Sequence, residues 1–531
     1  MNHSKLEWWS RFQKYYTEFP TLGLAVDLSR MNVDDAFFAA MEPRIQQAFS
    51  QMSELEKGAT ANPDENRMVG HYWLRNPSLA PKPEIRKAIE ENLADIKNFS
   101  AQVHTGKIRG NGGPFKNYLL VGIGGSALGP QFVAHALGDP LRDKLTPYFF
   151  DNTDPDGMHR VLAYIGKDLN QTLCIVISKS GSTKETRNGM LVAKAAFEKA
   201  GLNFGQHTIA ITTSASELHK YAINNKWLTT FPMWDWVGGR TSELSSVGLV
   251  PAALQGIEID NLLAGARRCD EITRDNNVIL NPASQLALAF YASGNGKGRK
   301  NLVVLPYKDR LELFSKYLQQ LLMESLGKEI DLNGKRVNQG ITVLGNKGST
   351  DQHSYIQQLR DGTSNFFVVF IEVQTDEGQP SLMVEPEVTS GDFLHGFYLG
   401  TRQALSEKGR ESLTLIVKEV SPFTVGMLIA LFERAVGFYA SLINVNAYNQ
   451  PGVEAGKKAA SNVIAIQKQI LEFLSKQPRQ TFTALELASR IRANDEVESV
   501  FKICEHLSQN PSRHIKKIPA EFQFAAKYGL S

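Results

Sequence analysis

A chain of 531 residues is too long for one small domain and predicts two or three domains with sizeable cores. Its 42% hydrophobic and 21% charged residues are typical of a soluble globular protein, and we expect no membrane segment. With 58 Lys and Arg against 55 Asp and Glu, the net charge is only +3, which argues against nucleic acid or an acidic membrane as the main partner.

The cysteines and the first residues favour a cytoplasmic location. Cys174, Cys269 and Cys504 are far apart and lack the spacing of metal ligands, which favours a reducing compartment over structural disulfides or zinc. Residues 1–14 mix charges with tryptophans and contain no apolar stretch typical of a signal peptide. We therefore expect a cytoplasmic protein.

The chain order predicts an α/β protein with two doubly wound, mainly parallel sheets and flanking helices. Residues 1–105 predict a helical N-terminal segment, and residues 106–285 and 286–450 each alternate β-rich runs with helical stretches, as βαβ units do. Residues 451–531 predict a C-terminal helical region and extension. The predicted strands are 118–123, 148–150, 172–177 and 207–212 in the first sheet and 301–305, 340–344, 366–373 and 413–420 in the second.

A glycine-rich loop follows the first predicted strand and reads V-G-I-G-G-S-A-L-G-P, residues 121–130. Gly124 and Gly125 allow a close approach of the backbone, and Ser126 adds a hydroxyl at the start of a helix, which suits an anion. The loop also fits G-x-G-x-x-A, with Asp151 ending the next strand, so a nicotinamide oxidoreductase is one alternative.

A second anion loop follows the third predicted strand and reads S-K-S-G-S-T, residues 178–183. Its hydroxyls, glycine and lysine lie at the positive end of a predicted helix and form a candidate phosphate site. A dinucleotide fold has no need of this second loop. Two such loops on neighbouring strands resemble a sugar-phosphate isomerase (SIS) domain.

Two further stretches carry candidate reacting groups. In W-D-W-V-G-G-R-T-S, residues 234–242, two glycines and several aromatic residues surround Arg240, whose permanent charge can stabilise an oxyanion. Residues 309–326 predict a helix with Asp309 as its N-cap, on which Gln320 and Glu324 share one face. A carboxylate at the end of a partly buried helix is a candidate general base.

Residues 425–443 are nearly all apolar and could be mistaken for a membrane span. Glu433 and Arg434 lie at the centre of the stretch and would be costly in lipid. We therefore predict a buried core helix that begins after Ser421 and Pro422.

Four motifs in this order resemble the glucose-6-phosphate isomerase (phosphoglucose isomerase) family. They are D-W-V-G-G-R-T-S at 235–242, M-E-S-L-G-K at 323–328, G-S-T-D-Q-H-S-Y at 348–355 and Y-N-Q-P-G-V-E-A-G-K at 448–457. The resemblance runs from about residue 115 to about 460. It implies aldose–ketose isomerisation of glucose 6-phosphate and fructose 6-phosphate in a homodimer, with no metal or cofactor.

The resemblance also implies residue roles. The residues it places around the substrate phosphate are Gly125, Ser126, Ser178, Lys179, Ser180 and Thr183. Glu324 corresponds to the residue that moves the proton between C1 and C2, and Arg240 to the one that stabilises the enediolate. Gln320 and Gln450 correspond to residues that position the sugar.

The resemblance also implies that two further residues open the sugar ring. His353 and Lys457 correspond to the groups that open the sugar ring, with the histidine offered across the dimer interface. The chemistry of the residues agrees, because an imidazole with a reference pKa of about 6.5 can shuttle the proton between the ring oxygen and a hydroxyl.

The tail leaves a regulatory alternative open. Residues 483–491 and 495–507 predict two short amphipathic helices that resemble a helix-turn-helix, although the acidic run at 495–498 would repel phosphates. A sugar-phosphate sensor with an SIS fold could use such a tail on DNA. A helical extension that packs on the body or on a dimer partner is the preferred interpretation, since a sensor needs no proton-transfer groups.

Overall fold

The computed structural model describes residues 4–376 and 381–531, with the side chains of residues 453–458 excepted. The chain divides into two compact units, residues 1–449 and 450–531, and each is described by itself. The domain boundaries predicted at residues 105, 285 and 450 stay a prediction.

The first sheet of the larger unit has five parallel strands. Their spatial order is Thr146–Phe150, Asn117–Val121, Thr172–Ile177, Thr208–Thr212 and Thr229–Pro232. The helices that follow these strands are Leu128–Leu137, Pro155–Ile165, Lys184–Lys199, Glu217–Asn224 and Ser246–Gln255. The predicted sheet is confirmed, and the sequence missed only its edge strand, 229–232. Because all strands are parallel, the loops that follow them meet at one edge of the sheet.

The second sheet has six strands, of which four are parallel. Their spatial order is Tyr16–Phe19, Leu24–Arg30, Ser412–Val417, Phe366–Val373, Asn301–Pro306 and Val343–Gly345. The first two strands belong to the segment predicted as helical, and Leu24–Arg30 pairs antiparallel with Ser412–Val417. The helical prediction for residues 1–105 therefore missed an edge hairpin of the second sheet. Strand Ser412–Val417, with which Leu24–Arg30 pairs, lies nearly four hundred residues further along the chain, so no local sequence pattern predicts the pairing.

The remaining helices of the larger unit surround the two sheets. They are Lys5–Tyr15, Asp35–Glu56, Pro83–His104, Ile259–Ile272, Pro282–Gly294, Ile356–Asp361, Ser390–Glu407 and Pro422–Leu442. The side chain of Ser421 caps the last of these by accepting from the amide of Thr424, and 94% of its most apolar stretch is buried. The predicted core helix is confirmed.

The segment that carries Glu324 differs in detail from the prediction. The expected helix over 309–326 is instead a 3-10 turn at Asp309–Leu311, an α-helix at Phe314–Leu318 and a π-helix at Gln319–Glu324. Asp309 is inside the 3-10 turn rather than an N-cap. The apolar residues whose helical spacing predicted the helix are buried, and they are Leu311, Phe314, Leu318, Leu321 and Leu322. Single π-helical turns of this kind occur frequently at functional sites.

The smaller unit has its own hydrophobic core. Its helices are Pro451–Ser475, Ala484–Arg490 and Val497–Gln509, and its antiparallel sheet has the spatial order Phe482–Thr483, Lys527–Leu530 and Ile515–Ile518. The two short helices of the tail are confirmed, whereas the sequence missed the sheet. The first turn of the third helix of this unit is acidic, which does not favour phosphate.

Candidate active site

The first anion loop, residues 121–130, lies against the arginine loop, residues 234–242, at the carboxyl edge of the first sheet. A Cβ on Gly125 would lie 2.0 Å from the carbonyl oxygen of Gly239, so only glycine permits this contact. The hydroxyl of Ser242 donates to the carbonyl of Gly125 at 3.3 Å. Ser126 ends the short turn Gly124–Ser126 that leads into helix Leu128–Leu137. This packing fixes Arg240 next to the first anion loop.

Glu324 lies at the end of the π-helix, beside the first anion loop. Its carboxylate accepts a hydrogen bond of 3.0 Å from the side-chain amide of Gln320, so the predicted shared face is confirmed. The side chain of Glu324 keeps 18% of its surface exposed. A Cβ on Gly124 would lie 3.2 Å from the amide nitrogen of Gln320, which places that residue against the loop. The carboxylate is therefore held in place yet remains open to a ligand.

Arg240 is buried and holds three segments together. Its Nε lies 3.5 Å from the carboxylate of Glu324, while Nη1 donates to the carbonyl of Ala447 at 3.0 Å and Nη2 to that of Asn449 at 2.9 Å. Burial lowers the pKa of the guanidinium, and the charge of Glu324 partly offsets this. A guanidinium remains protonated at any physiological pH, so the site contains a fixed cation beside the candidate base.

The second anion loop gathers hydroxyl groups at a helix N-terminus. The hydroxyl of Ser178 accepts from the amide of Gly181 at 3.1 Å, and those of Ser180 and Ser182 lie 2.8 Å apart. Gly181 has φ +79°, and a Cβ there would lie 2.3 Å from the amide nitrogen of Leu218. Thr183 is the N-cap of Lys184–Lys199 but makes no side-chain capping bond, so amides of the first turn are free to bind an anion.

Lys179 connects the second anion loop to the arginine loop. Its Nζ donates to the carbonyls of Asp235 at 3.1 Å and Val237 at 3.0 Å. Burial, with the charge of Arg67, lowers the pKa of this amine to about 8. Lys179 is therefore a cation whose charge changes within the working pH range of many enzymes.

The structure does not bring every predicted residue to this site. His353 ends the short turn Thr350–His353 and is exposed, and among the described residues it forms no hydrogen bond or ion pair with the groups above. Gln450 immediately precedes helix Pro451–Ser475 of the smaller unit. The side chain of Lys457 lies outside the described residues. The roles of these three residues stay predictions.

Sequence reasoning missed two parts of the site. The carbonyls of Ala447 and Asn449 anchor Arg240, and Lys328 donates to the carbonyl of Glu324. Main-chain carbonyls are present in every residue, so the sequence could not identify those that bind Arg240. The proximity of Lys328 was predictable, because it follows Glu324 by four residues in M-E-S-L-G-K.

Comparisons with known proteins agree on one family. The model of the family described as phosphoglucose isomerase matches residues 27–394 and 401–475. Glucose-6-phosphate isomerase of Geotalea daltonii is 59% identical over 513 residues, which are 96% of this chain and 97% of the relative. That of Thermosynechococcus vestitus is 56% identical over 522 residues, covering 97% of this chain and 98% of the relative. The crystal structure of a glucose-6-phosphate isomerase from Chlamydia trachomatis is similar with a TM-score of 0.78 at 26% identity, covering 87% of this chain and 91% of that one.

Proposed function

This chain belongs to the phosphoglucose isomerase family, and from that premise we propose how its residues catalyse the reversible isomerisation of glucose 6-phosphate to fructose 6-phosphate. The reaction is a step of glycolysis and gluconeogenesis. It moves a proton between C1 and C2 of the open-chain sugar, through an enediol or enediolate. The protein must therefore supply a base, a counter-charge for the developing oxyanion and a site for the phosphate.

Glu324 is the base in this proposal. One observation carries it: the only carboxylate that Arg240 contacts within the described chain is that of Glu324, 3.5 Å from Nε and hydrogen-bonded by Gln320. A carboxylate in that position can accept the C2 proton and return it to C1, typically for a factor of about 10² to 10⁴ in rate. Arg240 balances the enediolate charge without reorganising, because both of its Nη atoms are already bound to carbonyls.

The second anion loop binds the phosphate in this proposal. We propose that the hydroxyls of Ser178, Ser180 and Thr183 bind it together with the first amides of helix Lys184–Lys199. Gly125, Ser126 and Lys179 complete this proposed phosphate site. The phosphate does not react. Its binding energy holds the sugar over Glu324, which is how remote binding contributes to a rate. Gln320 and Gln450 position the hydroxyl groups of the sugar.

Ring opening requires a group that moves a proton between the ring oxygen and a hydroxyl, and we assign it to His353 and Lys457. His353 is exposed, so we propose that it serves the site of a second subunit in a homodimer. Exposed apolar side chains within residues 382–399, the apolar segment, support this arrangement, and they are Leu382, Met383, Val384, Phe393, Phe397 and Leu399. Concentrations of exposed apolar residues often mark protein interfaces.

The histidine loop, residues 348–353, packs on the buried side of the helix that carries part of the apolar segment. The ring of Tyr307 lies 5.5 Å from that of the buried Tyr398 on helix Ser390–Glu407, and a Cβ on Gly348 would lie 2.4 Å from the same Tyr307 ring. We propose that a subunit that docks on this part of the chain receives His353.

The other hypotheses have less support. A sugar-phosphate sensor or a nicotinamide oxidoreductase would use the anion loops but leave Glu324 and Arg240 without a role. The oxidoreductase hypothesis needs Asp151, at the end of the next strand, to bind a ribose. The carboxylate of Asp151 instead accepts a hydrogen bond of 2.8 Å from the side chain of Gln131. We propose the cytoplasm as the location, since the three cysteines are buried free thiols.

The role of Glu324 is tested by Glu324→Gln, with Glu329→Gln as a matched control on an exposed, surface-paired carboxylate. We expect kcat for fructose 6-phosphate to fall by about 10²-fold or more, with substrate still bound, because the amide accepts no proton. In the reverse direction, release of deuterium to water from glucose 6-phosphate labelled at C2 should fall equally, because only the aldose carries a hydrogen on C2. Full activity in Glu324→Gln would remove this residue from the mechanism.

The position of His353 is tested by mixing two inactive variants, Glu324→Gln and His353→Ala, under conditions where subunits exchange. If the histidine acts across an interface, mixed dimers contain one intact site and the mixture regains about a quarter of the wild-type activity. A mixture as inactive as its parents would place His353 in the site of its own chain or outside the reaction.

A further inference from the structure

Lys328 is a buried lysine beside the site to which the mechanism above assigns nothing. It follows Glu324 by four residues, begins the short strand Lys328–Ile330 and has 6% of its surface exposed. Its Nζ donates to the main-chain carbonyl of Glu324 at 2.7 Å and lies 3.4 Å from that of Asn449. The ammonium group therefore bonds directly to the backbone of the proposed base.

Lys328 and Arg240 share an anchor. The carbonyl of Asn449 also accepts from Nη2 of Arg240 at 2.9 Å, so two cations join the same loop to the π-helix. The side chain of Asn449 donates in turn to the carboxylate of Asp64, which fixes the loop from the other side. Three segments of chain are thus fixed around Glu324.

The last carbonyls of a helix have no partner inside it, and a buried one must find a donor elsewhere. The π-helix ends at Glu324, and Lys328 supplies that donor. Without it, the final turn would have to find another partner. The carboxylate of Glu324 would then move with the backbone.

The charge at this position is costly. Lys328 faces the charges of Arg240, Glu324 and Asp64, and burial together with Arg240 lowers the pKa of its amine to about 8. An uncharged, unbranched side chain of similar length, such as that of methionine, would fill most of the same space without bringing a second cation next to Arg240. The ammonium group thus acts on its neighbours rather than by packing.

We propose that Lys328 is a positioning residue, which fixes the main chain of Glu324 and thereby holds its carboxylate at the reacting carbons. The proposal rests on the role of Glu324 given above. We expect Lys328 to affect proton transfer and not phosphate binding, because the second anion loop is fixed by other contacts. The expected signature is a loss in kcat with little change in KM.

The test compares Lys328→Met and Lys328→Arg with Lys335→Met, a control that removes an exposed lysine from the adjacent turn. At pH 7 we expect kcat of Lys328→Met to fall by about 10-fold to 10²-fold, since small displacements of a catalytic group have effects of that size. KM should change by less than about threefold, and Lys328→Arg should recover part of kcat because its donors can reach the same carbonyls.

The pH profile separates positioning from general destabilisation. As the pH rises through about 8, Lys328 loses its proton, and with it one donor and one positive charge, so kcat of the wild type should decline. Lys328→Arg stays charged and should lose this decline, whereas Lys335→Met should keep it. If Lys328→Met fails to fold, the profile of Lys328→Arg still decides the question.

Two results would overturn the proposal: a folded Lys328→Met with wild-type kcat, or a Lys328→Arg profile that declines like that of the wild type. Either result together with an inactive Glu324→Gln removes only the role of Lys328. An active Glu324→Gln removes the proposed function itself, whatever the lysine variants show.

Discussion

Two clusters of charged groups in the larger unit are built differently. In the core, Arg75 bonds both oxygens of Asp270 at 2.6 and 2.9 Å and also pairs with Glu433, and Arg434 contacts Glu56 at 2.8 Å and Asp270 at 3.0 Å. At the proposed active site, the carboxylate of Glu324 has one hydrogen bond from Gln320 and an ion pair of 3.5 Å with Arg240.

The difference shows what each cluster is for. The core charges are fully buried and their hydrogen-bonding groups are used mostly within the protein. Burial alone would raise the pKa of Asp270, but Arg434 and Arg75 outweigh it, so the pKa is lowered and the carboxylate stays ionised. Glu324 keeps an open side and unused bonding capacity. A completed network stabilises the fold, whereas an incomplete one can bind and react.

The largest effect that separates the clusters is expected for Asp270→Asn. Removing one carboxylate leaves Arg75 and Arg434 buried without adequate counter-charge, which should lower the free energy of unfolding by about 3–5 kcal/mol. The urea midpoint measures this. Asp260→Asn, in an exposed pair with Lys97, is the control and should change stability by less than about 1 kcal/mol. Equal midpoints for the two variants would contradict the distinction.

An intermediate effect of the opposite kind is expected for Ser180→Ala in the phosphate loop. Loss of one hydrogen bond to a charged phosphate costs about 1.5–3 kcal/mol, so KM should rise by about 10-fold or more. The urea midpoint should not move, because Ser180 is exposed. Ser214→Ala, an exposed loop serine outside the site, is the control. An unchanged KM would take Ser180 out of phosphate binding.

The smallest effect concerns the charge of Lys179. Burial lowers its pKa to about 8, so the ammonium is present below that pH and is lost as the pH rises through it. KM should therefore rise a few-fold between pH 7 and 9. Lys179→Arg keeps its charge and should flatten that rise. Because Lys328 titrates in the same range but is expected to act on kcat, the two lysines are separated by measuring both parameters. A KM independent of pH would refute the role of Lys179.

Much of the fold was predictable from the sequence alone. The predicted parallel strands of both sheets, the buried helix after Ser421 and the two anion loops follow from hydrophobic periodicity and turn residues. Both are patterns that extend over only a few positions. The pair Gln320 and Glu324 followed from helical spacing. The roles proposed for the reacting groups came from the order of four motifs.

The remaining features depend on contacts between segments that are distant in the chain or on main-chain groups. The strand Leu24–Arg30 pairs with Ser412–Val417, the carbonyls of Ala447 and Asn449 hold Arg240, and Lys328 reaches back to Glu324. A three-stranded sheet completes the tail beside its predicted helices. In each of these contacts at least one partner is a backbone group, and backbone groups are nearly the same in every residue. Side-chain patterns show which face of a segment is buried but not which distant backbone it will meet.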